Sequence, residues 1–375
     1  MIFISIICLF LAIYVILRCI YPLQIKWWWK SLLCLATMLI SCKFQILHLF
    51  GGPMFFAPNL PKWLLIGAAW AFAVFFIFVI LLLFSDILAL ITWLIYFIRY
   101  RKRKIMKNML QVIHCILLIF SCACATWGMY KGMVPPVVIQ QEIQISGVAN
   151  QGLRIAILAD LHIDSMSNIA LLEKIVQQVN EQMPDIVVIL GDFIDGKVST
   201  LGKELQPLKK LKTKYGVYGI PGNHEYYSGY EEWMTFFPTL NIKMLENESI
   251  YFPEYNIALV GITDSQAKRF NLPTPDIPKA LQNVSTNAVR ILLAHRPTQA
   301  LQACKYPIHL QLSGHTHGGI IYGFHQIVKY VNKGFVAGWH DVGNLKVYVN
   351  RGTCIWSGFP VRIGIPSEIT ILTVK

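Results

Sequence analysis

The N-terminal third of the sequence has almost no acidic residues. Only 14% of the 375 residues are charged, and Asp86 is the single acidic residue before position 130. Lysine and arginine outnumber aspartate and glutamate by 33 to 20, and most of that excess lies in this same third, between long apolar runs. Basic loops that flank apolar runs indicate membrane spans rather than nucleic-acid binding, so we expect no nucleic-acid partner.

A Cys-x-x-Cys pair is also missing. The nine cysteines therefore give no support for a zinc knuckle or a dithiol redox site. Most of them lie in or beside apolar runs, where a cysteine commonly serves as a small buried side chain.

Four apolar segments have about the length that a membrane-spanning helix needs, which is roughly 20 residues. They cover about residues 2–21, 31–50, 63–99 and 108–128, and a turn rich in Gly and Pro over 51–62 separates the second from the third. No Gly or Pro lies between Phe72 and Arg99, so we predict one long helix that projects beyond the membrane. The sequence thus predicts a four-helix transmembrane region over residues 1–130 and a second domain over 131–375.

The distribution of positive charge predicts an orientation. Basic loops mark the cytoplasmic side of a membrane, and both dense clusters, at 18–30 and 99–107, follow odd-numbered spans. We therefore expect the N-terminus and everything after the fourth span to lie outside the cytoplasm. The sequence thus predicts a multi-pass integral membrane protein of the plasma membrane, or of the inner membrane if bacterial, with an extracytoplasmic C-terminal domain.

After residue 130, short apolar runs alternate with polar stretches that have helical spacing. Strands that alternate with helices and end in β-rich sequence predict an α/β domain built on sheets. We predict strands at residues 137–145, 153–158, 186–190, 217–220, 257–262, 289–294, 308–312, 345–349 and 369–374.

Side chains that bind metal ions follow five of these predicted strands. The carboxyl ends of strands in an open α/β sheet meet at the edge where ligands bind, so we expect these side chains to converge. Each alone has an ordinary alternative as a turn residue, a helix cap or a core histidine. Their carboxylate, imidazole and amide groups suit Mn²⁺, Fe²⁺, Zn²⁺ or Ni²⁺. The candidates are Asp160, His162, Asp192, Asn223, His224, His295, His315 and His317.

The order of these motifs is distinctive. It runs Asp160-Leu161-His162, Gly191-Asp192, Gly222-Asn223-His224-Glu225, His295 and Gly314-His315-Thr316-His317. This order resembles that of the calcineurin-like metallophosphoesterase superfamily, over about residues 135–375. Within the superfamily the chain is similar to the YkuE/YaeI-like branch, in particular to members with an N-terminal multi-span transmembrane region.

The resemblance implies a four-layer αββα sandwich and two divalent metal ions. One ion would bind Asp160, His162, Asp192 and His317, and the other Asp192, Asn223, His295 and His315, so that Asp192 bridges them. The implied reaction is hydrolysis of a phosphate ester or pyrophosphate bond by a metal-bridging hydroxide. The catalytic residues would be Asp192, Asn223 and His224, with His224 contacting a phosphoryl oxygen or protonating the leaving group.

Three further side chains have open roles. We expect Glu225 to orient His224. Asp195 could support a metal ligand, although we favour a turn residue. Arg351 could bind an anionic group of the substrate, or could form a surface salt bridge.

The sequence therefore predicts a membrane-anchored, metal-dependent phosphoesterase. Its expected partners are membrane lipids and a phosphorylated or pyrophosphate substrate, and the four spans favour a lipid-linked one. One alternative is a transporter or partner-binding membrane bundle with a regulatory phosphoesterase domain, which the ionisable residues Lys43, His48 and Asp86 support. Another is a tethered phosphodiesterase for soluble substrates.

Overall fold

The computed structural model describes residues 2–51, 58, 60–100, 107–149, 152–167 and 169–375. Most of the predicted turn over 51–62 and of the basic cluster over 99–107 lies outside these residues. Contacts between residues divide the chain into two units, Met1–Tyr130 and Lys131–Lys375.

The described part of the N-terminal unit is helical. Its helices are α1 (Ile2–Val15), which continues as a π-helical turn over Ile16–Ile20, α2 (Trp27–Ser41), α3 (Lys43–Gly51), α4 (Lys62–Tyr100) and α5 (Lys107–Met133), whose last residues belong to the second unit. Helix α4 is uninterrupted over 39 residues, which at 1.5 Å per residue is about 58 Å.

Two helices among the described residues are long and apolar enough to cross a membrane, over Lys62–Ile95 and Met109–Met133. Helices α2 and α3 meet at a bend of 59° and make a third span if they count as one. The apolar helix over Ile6–Ile20 is shorter than these. The four predicted segments are thus all helical. Two of them are each long enough to cross a membrane as a single helix.

An ion pair links the first helical segment to α4. The Arg18 guanidinium donates to both carboxylate oxygens of Asp86, at 2.6 and 2.7 Å, and the Tyr14 hydroxyl donates to the same carboxylate at 2.8 Å. A bidentate pair of this kind is geometrically specific and stronger than a single hydrogen bond between neutral groups. Asp86 therefore has a structural partner.

Two six-stranded sheets form the framework of the Lys131–Lys375 unit. The sheet orders are β1-β12-β2-β3-β4-β5 and β10-β11-β9-β8-β7-β6. The strands are β1 (Val137–Ile143), β2 (Leu153–Leu158), β3 (Ile186–Ile189), β4 (Val217–Gly219), β5 (Ile242–Met244), β6 (Glu248–Phe252), β7 (Ile257–Gly261), β8 (Val289–Leu293), β9 (Leu310–Ser313), β10 (Gly338–Val342), β11 (Leu345–Val349) and β12 (Glu368–Val374).

The central strands of both sheets are parallel. Strands β2 to β5 run parallel in the first sheet, and β7, β8, β9 and β11 run parallel in the second. Every residue of β3 and of β8 is buried. Strand β3 is apolar throughout, as is typical of a parallel strand that is covered on both faces, whereas β8 includes the buried Arg290.

Helices cover the outer face of each sheet. Helices α6 (Ile169–Glu181) and α9 (Tyr230–Phe236) pack on the first sheet, and α10 (Ile277–Leu281) and α11 (Ala300–Ala303) pack on the second. A separate buried cluster lies between the sheets and includes side chains of β2, β3, β7 and β8. The layers follow the order helix, sheet, sheet, helix. The remaining helices are α7 (Val198–Leu201), α8 (Asn223–Ser228) and α12 (His325–Val331).

Candidate metal centre

The candidate metal ligands all follow the carboxyl ends of parallel strands. Strands β2, β3 and β4 of the first sheet, and β8 and β9 of the second, each end immediately before a motif. Since both sheets contribute, the site lies where two parallel sheets end together. The residues placed there are Asp160, His162, Asp192, Asn223, His224, His295, His315 and His317.

The backbone at the site is unusual. Five of these residues have a positive φ between 44° and 72°, a region that side chains other than glycine seldom adopt. Such conformations cost about 1–3 kcal/mol each and cluster at functional sites, where the surrounding structure holds them. They are Asp160, His162, Asp192, His315 and His317.

Two glycines in the motifs are needed for close approach. A Cβ on Gly222 would lie 2.2 Å from Oδ1 of Asp192, and a Cβ on Gly314 would lie 2.8 Å from Oδ2 of Asp160. Both contacts are shorter than real Cβ contacts permit. The glycines therefore let the ligand-bearing loops pack against each other's carboxylates.

The ligand atoms form two neighbouring groups that share Asp192. In the first, Nε2 of His162 lies 3.1 Å from Nε2 of His317 and 3.7 Å from Oδ2 of Asp192. In the second, the same Oδ2 lies 3.2 Å from Nε2 of His295.

Asp160, Asn223 and His315 complete these groups, and His224 lies beside His162 and Asp192. Asp160 joins the first group with His162 and His317. In the second group, Nε2 of His295 also lies 3.2 Å from Oδ1 of Asn223 and 3.2 Å from Nδ1 of His315. Ring nitrogens and oxygens that converge so closely are typical of a site for a divalent cation, because one cation can accept a lone pair from each of them.

The charges of the site oppose one another. Burial raises the pKa of Asp160 to about 6, with the charge of His295 acting against this and that of Asp192 adding to it. Burial lowers the pKa of His162, but neighbouring carboxylates outweigh it and raise the value to about 9. The same balance raises the pKa of His295 to about 10. Protons thus occupy positions that a divalent cation would take, and its binding must displace them.

The two histidines of the last motif have lowered pKa values instead. Burial, followed by the charges of His295 and Arg296, holds the pKa of His315 well below its usual value. Burial and the charge of His162 do the same for His317. Neutral imidazoles are the form that binds metal ions, and the lowered pKa values keep these two side chains in that form.

Asp195 contacts two of the candidate site residues, which the sequence analysis did not favour. Its buried carboxylate accepts from Nδ1 of His162 at 3.1 Å and from Nδ1 of His224 at 2.5 Å. The preference for a turn residue was therefore wrong. The spacing of Asp192 and Asp195, three residues apart on one loop, was the available signal, but it is equally common in turns.

We expected Glu225 to orient His224, but the side chain of Glu225 binds other groups. Its fully buried carboxylate accepts from the backbone N–H groups of Gly222, Phe193 and Asp192, at 2.6, 2.8 and 3.0 Å. Burial, with help from the charge of Asp192, raises its pKa to about 7. Glu225 thus ties the loop after β3 to the start of α8.

Arg351 forms an ion pair with the buried carboxylate of Glu368, which also accepts from the Arg351 backbone N–H at 3.1 Å. The pair involves a side chain that is only 2% exposed, so it is not the surface salt bridge we considered. The substrate-binding role of Arg351 stays a prediction.

Two arginines that the sequence analysis did not consider also lie at the centre. Arg296 donates to Nε2 of His315 and to Oδ1 of Asn223, both at 3.0 Å, and pairs with the buried Asp264 at 2.8 Å. The fully buried Arg362 donates to the carbonyl oxygen of His317 at 3.2 Å. No spacing rule identifies either residue from the sequence.

The comparison with known proteins agrees with this geometry. The sequence profile of the calcineurin-like phosphoesterase family matches residues 153–319, the stretch that contains every candidate ligand. An uncharacterized metallophosphoesterase of Helicobacter pylori is 34% identical over 274 residues, which is 72% of this chain and 72% of the relative.

Two further relatives are informative. The Danio rerio protein named transmembrane protein with metallophosphoesterase domain is 36% identical over 273 residues, 69% of this chain and 62% of the relative. The uncharacterized metallophosphoesterase YkuE of Bacillus subtilis is 31% identical over 237 residues, 60% of this chain and 79% of the relative.

Fold, site and comparisons together define a metallophosphoesterase. The chain belongs to the calcineurin-like phosphoesterase family, as the order of motifs predicted. It is a metal-dependent phosphoric ester hydrolase.

Asp195→Asn should impair both imidazoles that Asp195 contacts, because a neutral amide oxygen is a weaker acceptor than the carboxylate oxygen that faces both Nδ1 atoms. We expect kcat to fall by about 10²-fold or more and metal affinity to weaken about 10–100-fold. The measurements are kcat on bis-p-nitrophenyl phosphate and metal binding by calorimetry.

The matched control is Asp164→Asn. Asp164 is also buried on the loop after β2, but its carboxylate accepts from the Ser167 hydroxyl and the Met166 N–H. Equal losses in the two variants would show that Asp195 acts only through the fold.

Proposed function

We propose that this chain is a membrane-anchored phosphoesterase with two divalent metal ions. Asp160, His162, Asp192 and His317 bind one ion, and Asp192, Asn223, His295 and His315 bind the other. The observation that carries this proposal is the position of Asp192, whose Oδ2 lies 3.7 Å from His162 and 3.2 Å from His295. A carboxylate between two groups of ligands is the arrangement that a shared ligand requires.

The side chains around the ions determine how the substrate reacts. Bound divalent ions supply Lewis-acid polarisation of the phosphoryl group and a nucleophilic water at neutral pH. Asp195 fixes Nδ1 of His224 as the donor to its carboxylate, so that Nε2 faces Asp192 at 3.9 Å. From there His224 contacts a phosphoryl oxygen or donates a proton to the leaving group.

Arg296 supplies a second positive charge at the same place. Its side chain is 25% exposed, and Asp264 holds the guanidinium between Asn223 and His315. A guanidinium has a planar fork that matches phosphate oxygens, and it stays charged at every physiological pH. We assign it to a phosphoryl oxygen of the substrate.

The helices of the N-terminal unit are the membrane anchor in this proposal, with four spans. Arg18 and Tyr14 near the end of the first segment contact Asp86 in the second half of α4. Earlier residues of the two helices, Ala12 and Phe75 among them, share one buried cluster. This order of contacts fits two helices that run parallel, which requires an odd number of crossings between them. It favours α2 and α3 together as one bent span.

Every candidate metal ligand lies in the Lys131–Lys375 unit, so the anchor favours a substrate that resides in the membrane. We infer a phosphate ester or pyrophosphate on a lipid. Mn²⁺, Fe²⁺, Zn²⁺ and Ni²⁺ all suit a mixed carboxylate, imidazole and amide donor set. The transporter alternative loses support, since Asp86 is engaged in an ion pair with Arg18.

Metal dependence tests the reaction. Purified protein stripped with a chelator should not hydrolyse bis-p-nitrophenyl phosphate, and added Mn²⁺ should restore activity. Asp192→Asn should abolish it, with kcat lower by about 10³-fold or more, because it removes the shared charge. The control Asp276→Asn changes only a helix cap on α10, whose Oδ1 accepts from the Lys279 N–H. Folded protein that is inactive with all four metals would contradict the proposal.

Arg296→Gln tests the phosphate contact. We expect KM for the phosphodiester to rise about tenfold, because a charge-assisted hydrogen bond is lost. Arg296→Lys keeps the charge and should recover part of the loss. Metal affinity is measured on the same samples. If Arg296→Gln loses metal while KM is unchanged, the guanidinium supports ligands and does not bind the substrate.

A topology reporter tests the orientation. We expect alkaline phosphatase fused after Lys375 to be active in a bacterial host, because an even number of spans from an outside N-terminus returns the chain to the outside. A green fluorescent protein at the same position should remain dark. The reverse pattern would place the catalytic unit in the cytoplasm.

A further inference from the structure

The loop that follows the metal-binding motif of β9 exposes an unusual amount of apolar surface. Tyr322 is 76% exposed, Ile327 55%, Tyr330 87% and Val331 71%. None of the seven residues of α12 is buried, so this helix lies on the surface and adds nothing to the core. Exposed apolar and aromatic groups in such density mark interaction surfaces. We call residues 322–333 the docking segment.

The docking segment is fixed to the metal centre at both ends. A Cβ on Gly319 would lie 2.5 Å from the Cα of His325, so the start of α12 packs directly on the turn that carries His317. At the other end, the hydroxyl of Thr316 donates to the carbonyl oxygen of Val336 at 2.6 Å. Whatever contacts the docking segment is therefore held beside the catalytic residues.

The charged residues of the docking segment are all basic. Lys329 and Lys333 are exposed within it, and the sequence has no aspartate or glutamate at all from residue 277 to 340. Tyrosine side chains with apolar neighbours and flanking lysines are the composition of segments that lie in the headgroup layer of a membrane. Lysines close to an anionic lipid surface strengthen such binding.

We propose that the docking segment rests in the headgroup layer of an anionic lipid bilayer, beside the active site. The inference builds on the proposed membrane anchor and adds where the catalytic unit receives its substrate. The positive charge of the docking segment decides which of its possible partners it contacts. Before residue 130 the chain has eleven basic residues and one acidic residue, so it offers Lys329 and Lys333 little opposite charge. A second copy of the docking segment has no acidic residue and offers none.

Site-specific photocrosslinking in the full chain tests this. The protein is reconstituted into nanodiscs of phosphatidylglycerol or phosphatidylcholine, with p-benzoylphenylalanine in place of Tyr330. We expect mass spectrometry to find lipid adducts on this residue, at least fivefold more in phosphatidylglycerol. The matched control replaces Tyr251 on β6, another exposed tyrosine of the same unit, where adducts should be rare.

The contributions of charge and of fold can be separated. Lys329→Glu with Lys333→Glu should lower the adduct yield at position 330 in phosphatidylglycerol by at least fivefold, and leave the low yield in phosphatidylcholine unchanged. Crosslinks from position 330 to peptides of residues 1–130, or to a second copy, would overturn the proposal, as would equal yields at positions 330 and 251. Photocrosslinking does not require hydrolysis, so its result is independent of the catalytic proposal.

Discussion

The buried carboxylate of Asp192 is the constraint on which the rest of the catalytic unit depends. It is 2% exposed, and a buried charge is costly unless groups of opposite charge or hydrogen-bond donors surround it. Burial would raise its pKa, but the charges of His295, His224 and His162 hold it well below the usual value. The backbone N–H of His224 also donates to it at 2.9 Å. Strand ends of both sheets must therefore meet at one point.

A second set of polar groups holds this arrangement in place. Asp195 faces two imidazoles, Glu225 accepts from three backbone N–H groups, and Arg362 lies behind His317. Each of these side chains is buried, and each joins two loops that are far apart in sequence. The strained backbone at Asp192 is held by the hydrogen bond from its N–H to Glu225. That at Asp160 is held by the hydrogen bond from its N–H to the carbonyl oxygen of Gly191 and by the N–H of His315, which donates to its carboxylate.

The sequence predicted those parts of this structure that depend on continuous apolar runs or on a fixed order of motifs. Strands β2 and β11 have the predicted bounds, since each is a short apolar run interrupted by one basic residue, Arg154 or Lys346. Strands β5, β6 and β10 were not predicted, because edge strands are short and only partly apolar. The roles of Asp195 and Glu225 depend on contacts between separate loops, which no local pattern encodes.

The contacts of Asp86 and Lys43 favour a structural role for these two residues over a role in transport. The only acid before residue 130 is bound to Arg18, which cancels both charges. Lys43 is buried, and its ammonium group lies 5.0 Å from the ring centre of Phe44 and 5.5 Å from that of Phe72, where aromatic faces stabilise a cation. A transport path requires ionisable groups that exchange partners with a moving ion. Groups already engaged in this way fit an anchor better, and they leave the chemistry to the unit that carries Asp192.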